Sequence, residues 1–207
     1  MIAAAHQTML APPALPYDAE VEYLESTGTQ YVDAGVMPDV LTEVDAEFEL
    51  FDVTTGRQLF GSRNSATSAI FAMQLQTASV ATMRAGYGGA YYSAGGVASG
   101  RQIAHMDNSG ASLGSVSITY SGTLGAPLYP MFVLALNNGG VANIGNTRLR
   151  VFAFAISQSG VLVRDYQPVR VGSGSSAVGY LFDRVSGTLF GNAGTGAFTI
   201  GPDKNGG

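Results

Sequence analysis

Residues 20–36 read Glu20-Val-Glu-Tyr-Leu-Glu-Ser-Thr-Gly-Thr-Gln-Tyr-Val-Asp-Ala-Gly-Val36. Apolar and polar residues alternate over two short runs, with Ser26-Thr27-Gly28-Thr29 between them. Alternation with a period of two puts successive side chains on opposite faces of a strand, and Ser, Thr and Gly favour the turn. The stretch therefore predicts a β-hairpin. Further strands are predicted over 42–53, 57–61, 68–76, 79–85, 101–107, 113–120, 129–137, 147–157, 160–166, 168–172, 177–182, 186–190 and 196–200. Thr55-Gly56, Asn137-Asn138-Gly139-Gly140, Ser159-Gly160 and Ser186-Gly187 carry turn chemistry. No amphipathic helical period is found, so the chain reads as all-β, a sandwich or jelly roll.

The composition agrees. In 207 residues, 46% are hydrophobic, 12% are charged and 28 are Gly, which suits many short strands joined by tight turns. The chain contains no Cys, which excludes a thiol nucleophile, a disulfide or a thiolate metal site. A net charge of −5 argues against nucleic acid as a partner. No run approaches the roughly 20 apolar residues of a membrane span. Met1 to Leu15 has no positive start and makes a poor secretory signal.

Charge is unevenly spread. Residues 1–56 hold eleven acidic residues and no Lys or Arg, whereas 57–207 hold ten basic and four acidic residues. Either the two regions face each other within one sandwich, the simpler reading, or opposite charges dock subunits together. Pro12, Pro13 and Pro16 favour an extended segment, so residues 1–18 are expected to be an N-terminal arm, 19–201 the domain and 202–207 a short tail.

A second stretch, 162–198, joins the first. The segment "EYLESTGTQYVDAGV" resembles the opening of laminin-G-like, concanavalin-A-like jelly-roll modules. Leu162, Val163, Arg164, Asp165, Tyr166 and Pro168 are similar to their closing segment. So are Gly179, Asp183, Val185, Ser186, Gly187, Phe190, Gly191, Asn192, Gly194, Thr195, Gly196 and Phe198. Phe182 stands where the pattern has Tyr. The resemblance implies a concanavalin-A-like jelly-roll sandwich of two antiparallel sheets. Such modules occur in bacteriophage tail and head-fibre proteins and in surface proteins of gut bacteria. It thus implies a structural virion protein, non-enzymatic, docking on other virion proteins through its arm; the low charge and high apolar fraction suit the large interfaces of a homo-oligomer. The alternative is a carbohydrate-binding adhesion module at a bacterial cell surface. No cofactor is implied beyond Ca²⁺.

Several residue groups could carry chemistry. Glu43-Val44-Asp45-Ala46-Glu47 puts three carboxylates on one strand face, the spacing that some glycoside hydrolases use on a jelly roll. Glu49 continues the row, and Val44, Ala46, Phe48 and Leu50 form a matching apolar face, so the row reads equally as the wet side of a strand. The absence of Trp removes the usual sugar platform and favours the second reading. Asp33, Asp39 and Asp45 could bind Ca²⁺ through oxygen ligands. Gly86-Tyr87-Gly-Gly-Ala-Tyr91-Tyr92-Ser93 reads as an aromatic loop whose Tyr87, Tyr91 and Tyr92 could bind surface glycans. His6 and His105 fit no Ser-His-Asp order. Arg164-Asp165 reads as a structural ion pair, and Asp183 as the cap of a turn.

Overall fold

Alternating sequence becomes alternating burial. In the nine residues of Thr42–Leu50, every second side chain is buried and those between are exposed or partly exposed. The computed structural model describes residues 14–51, 56–76, 80–145 and 148–204. Among them nineteen strands form. In chain order they are β1 (Ala19–Glu20), β2 (Leu24–Thr27), β3 (Val32–Asp33), β4 (Thr42–Leu50), β5 (Arg57–Arg63), β6 (Ile70–Gln76) and β7 (Thr82–Gly88). Next come β8 (Ala90–Gly95), β9 (Gly100–Met106), β10 (Gly110–Leu113), β11 (Val116–Thr119), β12 (Phe132–Val133) and β13 (Leu136–Asn138). The last are β14 (Val141–Asn143), β15 (Arg148–Gln158), β16 (Val161–Val171), β17 (Val178–Asp183), β18 (Thr188–Phe190) and β19 (Thr199–Ile200).

They make two sheets. The larger runs β11-β10-β9-β4-β15-β16-β17-β18, with β1 on β16, β2 on β15 and β19 on β2. The smaller runs β14-β13-β5-β6-β7-β8, with β12 joining β5 to β3. Pairing is antiparallel except for a short parallel contact of β13 with β5. The core lies between the sheets, as in a β-sandwich. Phe48 and Phe154 enter from the larger sheet, Phe60 and Phe71 from the smaller, and all four are fully buried. Phe60 meets Phe154 edge-on at 5.4 Å between ring centroids. Each such ring contributes about 1.5–3 kcal/mol by leaving water.

The expected opening hairpin does not form. Strand β2 pairs with β15 and β19 in the larger sheet, whereas β3 pairs with β12 in the smaller. The Ser-Thr-Gly-Thr segment is a crossing from one sheet to the other, turned at Gly28 with φ of 116°. The buried Gln30 side chain supplies what a partner strand would have supplied. Its Oε1 accepts from the Thr27 N–H at 2.8 Å, and its Nε2 donates to the Thr195 carbonyl at 3.1 Å. Asn192 ties the same corner: its Oδ1 accepts from the N–H groups of Tyr31 and Gly194. The two stretches 20–36 and 162–198 therefore touch.

Two other expectations change, and β15 departs from plain alternation. Residues 90–95 are strand rather than loop. Strand β16 runs unbroken through Pro168, whose carbonyl accepts from the Val21 N–H at 3.0 Å. In a strand the N and C=O of one residue point the same way, so the missing N–H of Pro168 faces that seam and costs no bond to β17. In β15 a bulge at Phe152 shifts the alternation. Val151, Phe154 and Ile156 all point inward, while Ala153 and Ala155 face out, so the strand is not covered on both sides.

The first and last described residues are docked. The Tyr17 ring meets Phe182 edge-on at 5.0 Å, and the Asp18 N–H donates to the Arg170 carbonyl. Residues 202–204 pair back as well: Asp203 bridges Val21 and binds Arg170 at 2.6 Å, and the Lys204 N–H donates to Glu20. The greater part of the expected arm, with Pro12, Pro13 and His6, lies outside the described residues, as does 205–207.

Arg164 and Asp165 point to opposite faces and take separate partners. Arg164 reaches Asp183 at 3.6 Å and the Ala34 carbonyl at 3.1 Å, whereas Asp165 binds Arg184 at 2.7 Å. Asp183 caps its turn as expected. Fully buried, it accepts from the N–H groups of Asp165, Val185 and Ser186 and from the Ser186 hydroxyl. Burial opposes its charge, but these donors and Arg164 outweigh it and hold its carboxyl below the usual range. Asp183→Ala strands those donors and is expected to lower unfolding free energy by about 3 kcal/mol in urea titrations. A loss under about 1 kcal/mol would contradict the capping role.

Candidate functional site: the carboxylate face of the larger sheet

Burying Val44, Ala46, Phe48 and Leu50 obliges Glu43, Asp45, Glu47 and Glu49 to face outward. Strand β9 lies along one edge of β4 and β15 along the other, in a register that sets Asp45 opposite His105 and Glu49 opposite Arg150. Residues directly opposite in an antiparallel pair share a face, so the cations of β9 and β15 meet the carboxylates of β4.

Each acid in the row has a basic neighbour. His105 Nδ1 lies 2.8 Å from Asp45 Oδ1 and 3.9 Å from Glu43 Oε1, and its Nε2 lies 3.6 Å from Asp107 Oδ2. Glu47 accepts from Arg101, whose guanidinium also lies over the Phe152 ring at 3.9 Å. Arg150 donates to Glu49 at 2.8 Å and to Glu25 at 3.0 Å, and stacks on Tyr23 at 4.0 Å. Arg148 adds a second contact to Glu25 at 3.3 Å. The uneven charge of the sequence is thus compensated within one sheet: acidic strands β2 and β4 lie beside basic β9 and β15.

Two depressions border the row. One of about 230 Å³ opens above the small residues Ala153 and Ala155, between Asp45, Glu47 and Asp165, with Ile103 on its rim. The other, of about 300 Å³, lies where Glu43 and Asp107 approach Ser159 and Gly160.

This geometry bears on catalysis and on metal binding. Retaining glycoside hydrolysis needs two carboxyl groups about 5–5.5 Å apart that flank one bond. Glu43 approaches His105 and Glu47 binds Arg101, so the two are drawn to different cations. The expected Ca²⁺ trio is not assembled. Asp33 accepts from the Gly35 N–H at 2.9 Å, and Asp39 accepts from the Leu41 N–H and the Thr42 hydroxyl. Both close local turns. Among the described residues, the group whose donor atoms converge is Glu43, Asp45 and His105, within 4.8 Å of one another.

The three tyrosines are also divided. Tyr87 is buried in the core and stacks on Tyr120 at 4.8 Å. Tyr92 points to the same side and donates its hydroxyl to the Ser121 carbonyl. Tyr91 lies on the opposite face, its hydroxyl accepting from Arg63 at 2.8 Å. Alternation along a strand separates neighbours that a loop would have grouped. In the sequence His105 fits no triad, yet Arg101, Ile103 and His105 repeat at every second position and so share one face. No family model matches the chain, and no curated protein matches it.

The imidazole of His105 gives the face a pH signature. Burial disfavours its charge, but the Asp45 hydrogen bond and the charges of Asp45, Asp107 and Glu43 outweigh this and raise its pKa above 6.5. A raised folded-state pKa stabilises the fold fully below the unfolded value and loses that effect as pH rises through the folded value. Wild-type stability minus that of His105→Gln is therefore expected to be largest below about pH 6 and to shrink above neutrality. Urea titrations across pH check it; a difference that grows with pH would refute the assignment.

Proposed function

We propose that this chain is a non-catalytic structural module of a bacteriophage virion, a jelly-roll sandwich carried as a head decoration, fibre or tail component. The observation that carries the non-catalytic reading is the engagement of Glu43, Asp45, Glu47 and Glu49 by His105, Arg101 and Arg150. Carboxylates held in cross-strand pairs tie neighbouring strands together and are not poised as a nucleophile and an acid.

The virion setting rests on the resemblance carried by 20–36 and 162–198. The contacts of Gln30 and Asn192 lend it physical sense, since the two stretches close one corner of the sandwich. On this reading the part of the arm that precedes Tyr17 docks on a neighbouring virion protein, the domain is displayed outward, and copies of the chain associate. Display suits attachment to a host or to its surface glycans.

Two measurements test the proposal. Peptides of this chain should be found by mass spectrometry in gradient-purified phage particles, and their absence would remove the virion assignment. The purified protein should release no reducing sugar from β-glucans, and Glu47→Gln should behave as wild type; a Glu47-dependent activity would restore the hydrolase.

A further inference from the structure

The outer face of the smaller sheet has the opposite electrostatic character. Strands β5, β6, β7, β8, β13 and β14 contain no Asp or Glu. On their outer side stand Arg63 and Arg84, which among the described residues form no salt bridge, unlike Arg101, Arg148, Arg150, Arg164, Arg170 and Arg184. The face follows from the register. Tyr91 pairs with Gly86, and Gly86 with Ala72, which is packed with Ile70 and Leu136 in a small cluster apart from the main core. Arg84 lies between Gln74 and Ser93 in the next cross-strand row.

Both guanidinium groups are held in place by one ring. Tyr91 lies flat over Gly86, where a β-carbon would come within 2.6 Å of it. Arg63 donates Nη1 to the Tyr91 hydroxyl at 2.8 Å and Nε to Asn138 Oδ1 at 2.9 Å. Arg84 stacks on the Tyr91 face at 4.0 Å. An arginine so fixed has lost its conformational freedom before a ligand arrives, and it keeps N–H donors in a planar fork matched to a carboxylate or sulfate. Among the described residues no carboxylate neutralises its charge.

We propose that this face binds an acidic saccharide, with Arg63 and Arg84 holding its anionic groups. Tyr91 acts by positioning the two arginines rather than by stacking on sugar, since Arg84 already covers its ring. Asn138, partly exposed, and Ser93, exposed, supply an amide and a hydroxyl for the neutral hydroxyls of the same chain. That mixture of fixed cations and neutral hydrogen-bonding groups suits a sugar polymer better than an acidic peptide, which has fewer hydroxyls to satisfy. The inference names a ligand class for the display module proposed above and deepens that reading.

The test is calorimetric titration of the purified full-length protein with oligogalacturonate, a sulfated oligosaccharide, the methyl ester of the first, and poly-glutamate. At least one charged saccharide should bind, more weakly as salt rises. The neutral ester and poly-glutamate should not. Arg84→Gln and Arg63→Gln should each weaken binding at least about tenfold with melting temperature kept near wild type. Tyr91→Phe should weaken it less, by releasing Arg63, and Arg101→Gln on the other sheet should change nothing. No binding of either charged saccharide, equal binding of the ester or of poly-glutamate, or an equal loss in Arg101→Gln would overturn the proposal. Because binding is read on the isolated protein, a negative result leaves association with virions standing, and absence from particles leaves a positive binding result standing.

Discussion

The larger sheet depends on the inward packing of β4. Val44, Ala46, Phe48 and Leu50 fill the space between the sheets, and a slip of one residue would carry Glu43, Asp45, Glu47 and Glu49 into it instead. Burying unpaired carboxylates costs several kcal/mol each, which makes the register of β4 strongly determined. Its neighbours then inherit their positions. Strand β9 must present Ala104 and Met106 to the core, and so presents Arg101 and His105 to the carboxylates. Strand β15 absorbs one extra residue at Phe152, which keeps Val151, Phe154 and Ile156 inward while Arg150 faces Glu49. The ion pairs are a consequence of core packing, and at partly exposed positions each adds about 0–1 kcal/mol.

The two ends of the chain are joined through the other device of the fold, the corner at residues 26–32. A strand that leaves one sheet for the other abandons its ladder, and its backbone groups need new partners. Gln30 and Asn192, both amides with donors and acceptors, supply them and link the N-terminal crossing to the Gly-rich segment 191–196. Asp183 performs the same service for the turn after β17 with a carboxylate. Gln30 and Asp183 are buried, and Asn192 is partly buried, because they replace backbone partners.

The sandwich has two unlike outer faces. On the larger sheet, acids and bases from distant parts of the sequence neutralise one another pair by pair. On the smaller, Arg63 and Arg84 stand around Tyr91 with no acid on the strands beneath. A cross-strand ladder of opposite charges serves the sheet itself, whereas Arg63 and Arg84 are fixed by a ring and an amide and, among the described residues, meet no carboxylate.

Local pattern was legible in the sequence alone. The period-two alternation of β4, the turn at Asp183, the all-β class and the outward carboxylate row follow from side-chain direction and turn chemistry, which involve only near neighbours. Pairing was not. Glu20 to Val36 reads as a hairpin because two alternating runs flank a turn, yet its strands belong to different sheets, since an alternating run specifies a buried face and leaves the partner open. Tyr87, Tyr91 and Tyr92 read as one aromatic surface, yet alternation splits them between the core and the outer face. By residue type Asp45 goes with Asp33 and Asp39; in the fold it sits beside His105, sixty residues on. Strand existence is dictated by local sterics and the hydrophobic period, whereas partners, and hence every site on this protein, were decided only when the two apolar faces closed on a common core.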